Sequence, residues 1–129
     1  MIVDTSAVIA ILRGEPEAQR LAEEILGSEV ALMSTASYVE AGAVVDRIGD
    51  PVLSRRLDEL LSLLRVELAP SDSAQAAAAR AAYADFGKGS GHPAALNFGD
   101  CLAYGLAKVT GQPLLFVGDD FAQTDLRPA

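Results

Sequence analysis

Short apolar runs alternate with longer amphipathic segments along this chain, and the alternation predicts an α/β fold. Four runs have the length of buried strands, at residues 2–3, 30–33, 66–68 and 113–117. Strands that alternate with helices favour a parallel sheet with helices on both faces. We therefore predict a single domain over residues 1–129, with a central parallel sheet flanked by helices.

Six helices are predicted between these strands, and their limits come from capping and helix-breaking residues. The first is expected from Ala7 to about Arg13, and the second ends at Gly27. The residues that cap or begin the later helices are, in chain order, Ser34, Pro51, Asp72 and Asn97. Residues 87–93 hold three glycines and are predicted to form a mobile loop of the kind that borders active sites.

Composition and chain length narrow the class of protein. Half of the 129 residues are apolar, and the single cysteine, Cys101, has no partner for an internal disulfide. Asp4 stands where a signal peptide would carry basic residues, and the apolar stretch at residues 7–12 is too short to span a membrane. We expect a cytoplasmic protein without a membrane segment.

The formal net charge of −8 argues against a general nucleic-acid binder, and the ten basic residues are dispersed. Neutralisation of phosphates needs clustered lysine and arginine side chains. Action on a nucleic acid would therefore require a local site, bound cations or a partner.

Acidic residues recur near the ends of the predicted strands, where parallel sheets bind ligands. Asp4 follows the first strand, Asp119 and Asp120 follow the last, and Asp100 lies in the first turn of the preceding helix. Glu40 lies in a largely apolar helix after the second strand and is expected to be at least partly buried. Because an unpaired buried charge is costly, Glu40 should need Arg, Lys or a metal nearby, unless it is a surface residue.

Most of these acids also have a purely structural interpretation, which the residues alone leave open. Asp4 has the position of a helix N-cap, and Asp100 could complete a capping box with Asn97. The pair Asp119-Asp120 could form only a turn, with one of the two facing a site.

Taken together, the acids indicate a divalent cation. Two carboxylates about 4 Å apart repel by about 4 kcal/mol at an effective dielectric of 20. All-oxygen ligands select Mg²⁺ or Mn²⁺ over zinc. His92 is the only histidine and is interpreted as a loop residue, and Cys101 as a helix-packing residue. The general base would then be a carboxylate or a metal-activated water.

Four motifs, in order along nearly the whole chain, resemble those of the PIN-domain ribonucleases. They are IVDTSA at residues 2–7, SYVE at 37–40, LNFGDC at 96–101 and LLFVGDDF at 114–121. The resemblance is stronger to the VapC toxins of bacterial type II toxin–antitoxin pairs. It implies a PIN-like three-layer fold, a homodimer and Mg²⁺- or Mn²⁺-dependent cleavage of structured RNA such as tRNA or rRNA. It also implies inhibition by a cognate VapB-type antitoxin.

The resemblance assigns roles to individual residues. Asp4, Glu40 and Asp100 match the three main acids, with Asp4 and Asp100 holding the metal directly and Glu40 through water. The family often has Asp-x-Asp-Phe where this chain has Gly118-Asp119-Asp120-Phe121. Asp120 aligns with the second Asp as a catalytic acid, and Asp119 could take over the metal role. The supporting residues are Thr5 or Ser6, to hold a water or a phosphate near Asp4, and Asn97, to orient Asp100.

Other functions remain open on the residues alone. A haloacid-dehalogenase phosphatase needs an Asp two residues after Asp4, where this chain has Ser6. A response-regulator receiver needs an Asp directly after a middle strand, and no Asp follows the strand at residues 66–68 until Asp72, beyond Pro70. Two alternatives survive: a catalytically inactive RNA- or partner-binding module of the same fold, and another metal-dependent phosphoryl-transfer enzyme.

Overall fold

The computed structural model describes all of residues 1–129 and contains four strands, six α-helices and one short 3₁₀ helix. The strands are β1 (Ile2–Val3), β2 (Ala31–Ser34), β3 (Val66–Ala69) and β4 (Leu114–Leu115). The helices are α1 (Thr5–Leu12), α2 (Ala18–Gly27), α3 (Thr35–Ile48), α4 (Pro51–Leu63), α5 (Ser73–Phe86) and α6 (Phe98–Thr110). The 3₁₀ helix is Phe121–Gln123.

The four strands form one parallel sheet in the order β3-β2-β1-β4. Strand β1 is central, with Ile2 opposite Leu32 on one side and Leu114 on the other. The carboxyl ends of parallel strands lie at the same edge of a sheet. Asp4, directly after β1, therefore stands in the middle of that edge.

Helices cover both faces of the sheet, which confirms the predicted three-layer arrangement. Val3 and Leu115 pack into a core formed with α1 to α4, whereas their neighbours Ile2 and Leu114 pack against α5 and α6. This division follows from the strand period of two, which points successive side chains to opposite faces. Helix α6 lies so close to α5 that a Cβ at Gly105 would be 2.6 Å from the Gln75 carbonyl oxygen.

Strands β2 and β3 differ from their predicted limits by one residue, and two larger differences have local reasons. Helix α1 begins at Thr5 rather than Ala7, because Asp4 caps it by accepting a hydrogen bond from the Ser6 N–H. Strand β4 covers only Leu114–Leu115 rather than residues 113–117. The Val117 N–H donates instead to the Ser6 hydroxyl, which ends the strand pairing there.

Hydrogen bonds close the glycine-containing loop after α5 upon itself. The Lys88 N–H donates to the Leu96 carbonyl over 2.9 Å, and the Leu96 N–H donates to the Phe86 carbonyl over 2.8 Å. His92 accepts from the Ala94 N–H through Nδ1, and its ring packs edge-on against Phe86. These hydrogen bonds connect the end of α5 to the start of α6 through the loop. None of the helices combines the length and the apolar character needed to cross a membrane.

Candidate active site

A cavity of about 340 Å³ opens at the carboxyl edge of the sheet, and we call it the acid cavity. Residues from the β1–α1 junction, α3 and the start of α6 line it. They are Asp4, Thr5, Ser6, Ile9, Ala10, Glu15, Glu40, Val44, Asn97, Asp100 and Val117. Three of the predicted acids therefore share one cavity although they are far apart in the sequence.

Asp4 is the most buried of these acids, with 3% of its surface exposed. Its Oδ2 accepts from the Ser6 N–H over 2.9 Å and from the Ser6 hydroxyl over 2.6 Å, which leaves Oδ1 without a protein donor. Burial raises the pKa of Asp4 from 3.8 to about 6, against the hydrogen bonds from Ser6. The negative charges of Asp100 and Glu40 make a smaller contribution to this rise. Asp4 therefore caps α1, as its position predicts, and its surroundings disfavour the ionised form of the same carboxylate.

The Ser6 hydroxyl connects Asp4 to the far end of the chain. It donates to Asp4 Oδ2 and accepts from the Val117 N–H over 3.0 Å, so that one hydroxyl joins the ends of β1 and β4. The Thr5 hydroxyl donates to the Ser37 carbonyl over 3.2 Å, which ties α1 to α3. Both hydroxyl hydrogens are therefore used inside the protein and hold the walls of the acid cavity together.

We expect Ser6→Ala to lower the free energy of unfolding by about 1–3 kcal/mol, because it leaves the partly buried Val117 N–H without an acceptor. Urea denaturation measures the change. Ser54→Ala is the matched control, since its exposed hydroxyl bonds only to Asp46 and its loss should cost less than about 0.5 kcal/mol. Equal effects of the two substitutions would contradict a structural role for the Ser6 bridge.

Asp100 is fixed by a capping box at the start of α6, as the sequence predicts. Its backbone N–H donates to Asn97 Oδ1 over 2.8 Å, and its Oδ2 accepts from the Asn97 N–H over 2.9 Å. Partial burial raises the pKa of Asp100, with the Asn97 N–H opposing. The charges of Asp120 and Glu40 raise this pKa, and Lys88 lowers it. Asn97 thus orients Asp100 and Lys88 is its cationic neighbour.

Glu40 reaches the acid cavity from α3, which the Ser34 hydroxyl caps. Its side chain is half-buried, as expected, although the adjacent Val39 is 69% exposed. The Glu40 carboxylate rests against Gly99, the second residue of α6. Contact with α6 therefore brings Glu40 to the acid cavity.

The three acids share a cavity without forming a closed ligand set. No group of three or more carboxylate, histidine or cysteine side chains is arranged to hold one metal ion in the positions they occupy. Hydrogen bonds hold Asp4 at Ser6 and Asp100 at Asn97, and the negative charges of the carboxylates repel one another. The donors still fit a hard divalent cation, because all are oxygens and Asp4 Oδ1 has no protein donor.

Asp119 and Asp120 lie outside the group of acids that line the acid cavity. Both are exposed, and neither lines the acid cavity. Asp120 is close enough to raise the pKa of Asp100 through its charge. Glu15 lines the acid cavity and was not among the predicted acids. Its only signal in the sequence is its place in the Gly14-Glu15-Pro16 break between two helices.

Cys101 and His92, interpreted from the sequence as a helix-packing residue and a loop residue, have those positions in the structure. Cys101 is 3% exposed within the core under α6, and burial raises its pKa to about 11, which opposes thiolate formation. His92 is engaged within its own loop and does not line the acid cavity.

Comparison with known proteins gives the family. A family model described as "PIN domain" matches residues 1–126. The chain is 54% identical to Ribonuclease VapC28 of Mycobacterium tuberculosis over 129 residues, which are all of this chain and 97% of the relative. It is 51% identical to Ribonuclease VapC42 of the same species, over all of this chain and 98% of the relative.

A solved structure shares the fold at low sequence identity. A toxin–antitoxin complex from Klebsiella pneumoniae contains a chain that superposes with a TM-score of 0.69 and 17% identity. The match covers 94% of this chain and 89% of that one. The shared fold agrees with the family model and the full-length relatives, which show that the chain belongs to the PIN domain family and, within it, to the VapC ribonucleases.

Proposed function

We propose that this chain is the toxin of a type II toxin–antitoxin pair and acts as a Mg²⁺- or Mn²⁺-dependent endoribonuclease on structured RNA, either tRNA or rRNA. The observation that carries the proposal is the acid cavity, where Asp4, Glu40 and Asp100 meet at the carboxyl edge of the sheet. The relatives that extend over the whole chain are named ribonucleases, which supports the choice of substrate.

In this proposal Asp4 and Asp100 hold the metal directly, and Glu40 holds it through water. Mg²⁺ usually keeps several waters and takes one or two carboxylates, which suits two direct ligands. When bound, the ion supplies charge neutralisation of the phosphate and a lowered pKa of bound water. Ser6 keeps the Asp4 carboxylate at the end of β1, and Asn97 keeps Asp100 in the first turn of α6.

The proposal also explains how a chain of net charge −8 acts on RNA. The carboxylates of the cavity repel the RNA phosphates until a cation neutralises them, so we propose that metal and substrate bind together. Lys88 is the cation whose charge acts on Asp100, and its backbone is fixed to Leu96. We propose that Lys88 and Arg13 contact the RNA backbone, whereas Arg127 donates to the Gly111 carbonyl at the opposite end of α6.

A cognate VapB-type antitoxin and a second copy of the chain are the proposed protein partners. The structural neighbour is named as a toxin–antitoxin complex, which supports the antitoxin. Val39, Leu63 and Phe98 are 69–75% exposed, and we propose that they contribute to a protein interface. Light scattering tests the homodimer, and a monodisperse monomer over a range of concentrations would contradict it.

The fourth acid is proposed to be Asp120, because its charge raises the pKa of Asp100. We expect Asp120→Asn to lower RNA cleavage by roughly tenfold, equivalent to about 1.4 kcal/mol of barrier. Asp119→Asn should stay within about twofold of wild type, and it serves as the adjacent control. A larger loss in Asp119→Asn would reverse the assignment, and no loss in either variant would make this a three-acid site.

The proposed function is tested by incubating the purified chain with total tRNA and rRNA in Mg²⁺, in Mn²⁺ and in EDTA. Discrete fragments that appear only with metal are the expected result. Cleavage that persists in EDTA would refute the metal dependence. RNA binding without cleavage under every condition would instead favour the inactive binding module.

A further inference from the structure

Gly99 occupies a buried position where a side chain of any size would meet the Glu40 carboxylate. It is the second residue of α6 and lies between Phe98 and Asp100. A Cβ at Gly99 would overlap Glu40 Oε2 and Cδ and lie 2.8 Å from Oε1. Cβ atoms in proteins essentially never lie within 3.0 Å of such a neighbouring atom, so either the Glu40 carboxylate or the backbone of α6 would have to move.

This glycine is not required by the backbone. Gly99 has a helical conformation, unlike Gly111 at the end of the same helix, which has φ +67°. Alanine is favoured over glycine in helices by as much as about 1 kcal/mol. A glycine at this buried helical position therefore needs a reason other than chain geometry.

The group that would move is the end of a flexible side chain. Glu40 is half-buried, and the three Glu40 atoms that a Gly99 Cβ would meet are all in its carboxylate group. Rotation of the Glu40 side chain can relieve the overlap without moving either helix. A methyl group at Gly99 should thus expel the carboxylate from its seat while α3 and α6 stay in place.

We propose that Gly99 is a positioning residue for RNA cleavage: the absence of its side chain forms the seat that holds the Glu40 carboxylate beside Asp100. The inference rests on the proposed ribonuclease function. The seat lies next to the capping box that fixes Asp100, so α6 sets the positions of both acids. The spacing of Glu40 and Asp100 then depends on one missing methyl group.

The test compares Gly99→Ala with wild type in kinetics and in stability. Displacing a reacting group by about 1 Å can cost about 100-fold in rate, and we expect kcat to fall by about 10- to 100-fold with KM for RNA little changed. The Tm without metal should not fall by more than about 2 °C. The rise in Tm on adding Mn²⁺ should be smaller than in wild type, a readout independent of cleavage.

Gly42→Ala is the matched control, because it is a helical glycine of α3 with no atom within 4 Å of its Cβ position. It should keep wild-type kinetics and the full Mn²⁺-induced rise in Tm. A double-mutant cycle adds Glu40→Ala. If Gly99 acts through Glu40, Gly99→Ala should cause less than about a twofold further loss in the Glu40→Ala background.

The outcomes separate the inference from the proposed function. If wild type cleaves RNA and Gly99→Ala is equally active, the inference alone is overturned. It is also overturned if the losses of activity caused by Gly99→Ala and by Glu40→Ala multiply in the double variant. An inactive wild type under every metal condition would overturn both. If Gly99→Ala unfolds but Gly99→Ala/Glu40→Ala folds, the seat is structural and the positioning role is refuted.

Discussion

Asp4→Asn is expected to reduce RNA cleavage by at least about 100-fold, equivalent to about 2.7 kcal/mol of barrier. Asparagine keeps an oxygen that can accept from the Ser6 N–H, so the cap of α1 survives. It removes the negative charge at the centre of the acid cavity, and with it the proposed direct ligand of the metal. The measurement is the initial rate of tRNA or rRNA cleavage in Mn²⁺.

Asp85→Asn provides the matched control, since Asp85 is an exposed aspartate of α5 that does not line the acid cavity. Its rate should stay within about twofold of wild type. An Asp4→Asn variant that cleaves RNA as fast as this control would remove Asp4 from the chemistry, whatever its effect on stability.

The same substitution should stabilise the metal-free protein at neutral pH. The pKa of Asp4 is about 6 when folded and 3.8 ordinarily, so the folded state binds more protons between about pH 4 and pH 6. Stability therefore falls as pH rises through this window, and the full cost is present above pH 6. The shift corresponds to at most about 3 kcal/mol, so we expect Asp4→Asn to gain about 1–3 kcal/mol at pH 7.5.

Urea denaturation in EDTA at pH 7.5 and at pH 4 measures this gain. It should shrink toward zero at pH 4, where the wild-type carboxyl of Asp4 is protonated in the folded state. Adding Mn²⁺ at pH 7.5 should stabilise wild type and not the variant, because a ligand of the folded state adds to its stability. A variant that is less stable than wild type at pH 7.5 would show that the Asp4 charge is not a burden to the fold.

Features set by neighbouring residues could be predicted from the sequence. Asp4, Ser34 and Asn97 are typical capping residues, and each caps the helix expected of it. The parallel sheet and the capping box also follow from local patterns and from general rules of strand connection. The motifs that resemble PIN domains indicated the three acids that line the acid cavity, together with Asp119 and Asp120, which do not line it.

The remaining features depend on contacts between distant parts of the chain. The bond between Ser6 and Val117 joins residues 111 positions apart, and no local pattern predicts it. The seat for Glu40 at Gly99 depends on how closely α3 approaches α6, which a hydrophobic pattern does not specify. Glu15 belongs to no motif and lines the acid cavity only because α1 ends beside it.

Calorimetric titration of Mn²⁺ into the metal-free chain would test most directly whether the acid cavity holds the cation. We predict saturable binding to wild type and an affinity at least about tenfold weaker in Asp4→Asn, a difference of about 1.4 kcal/mol. Asp85→Asn should bind as wild type does. Equal Mn²⁺ affinity in wild type and Asp4→Asn, or no binding to a wild-type chain that cleaves RNA, would contradict the assignment of the metal to these carboxylates.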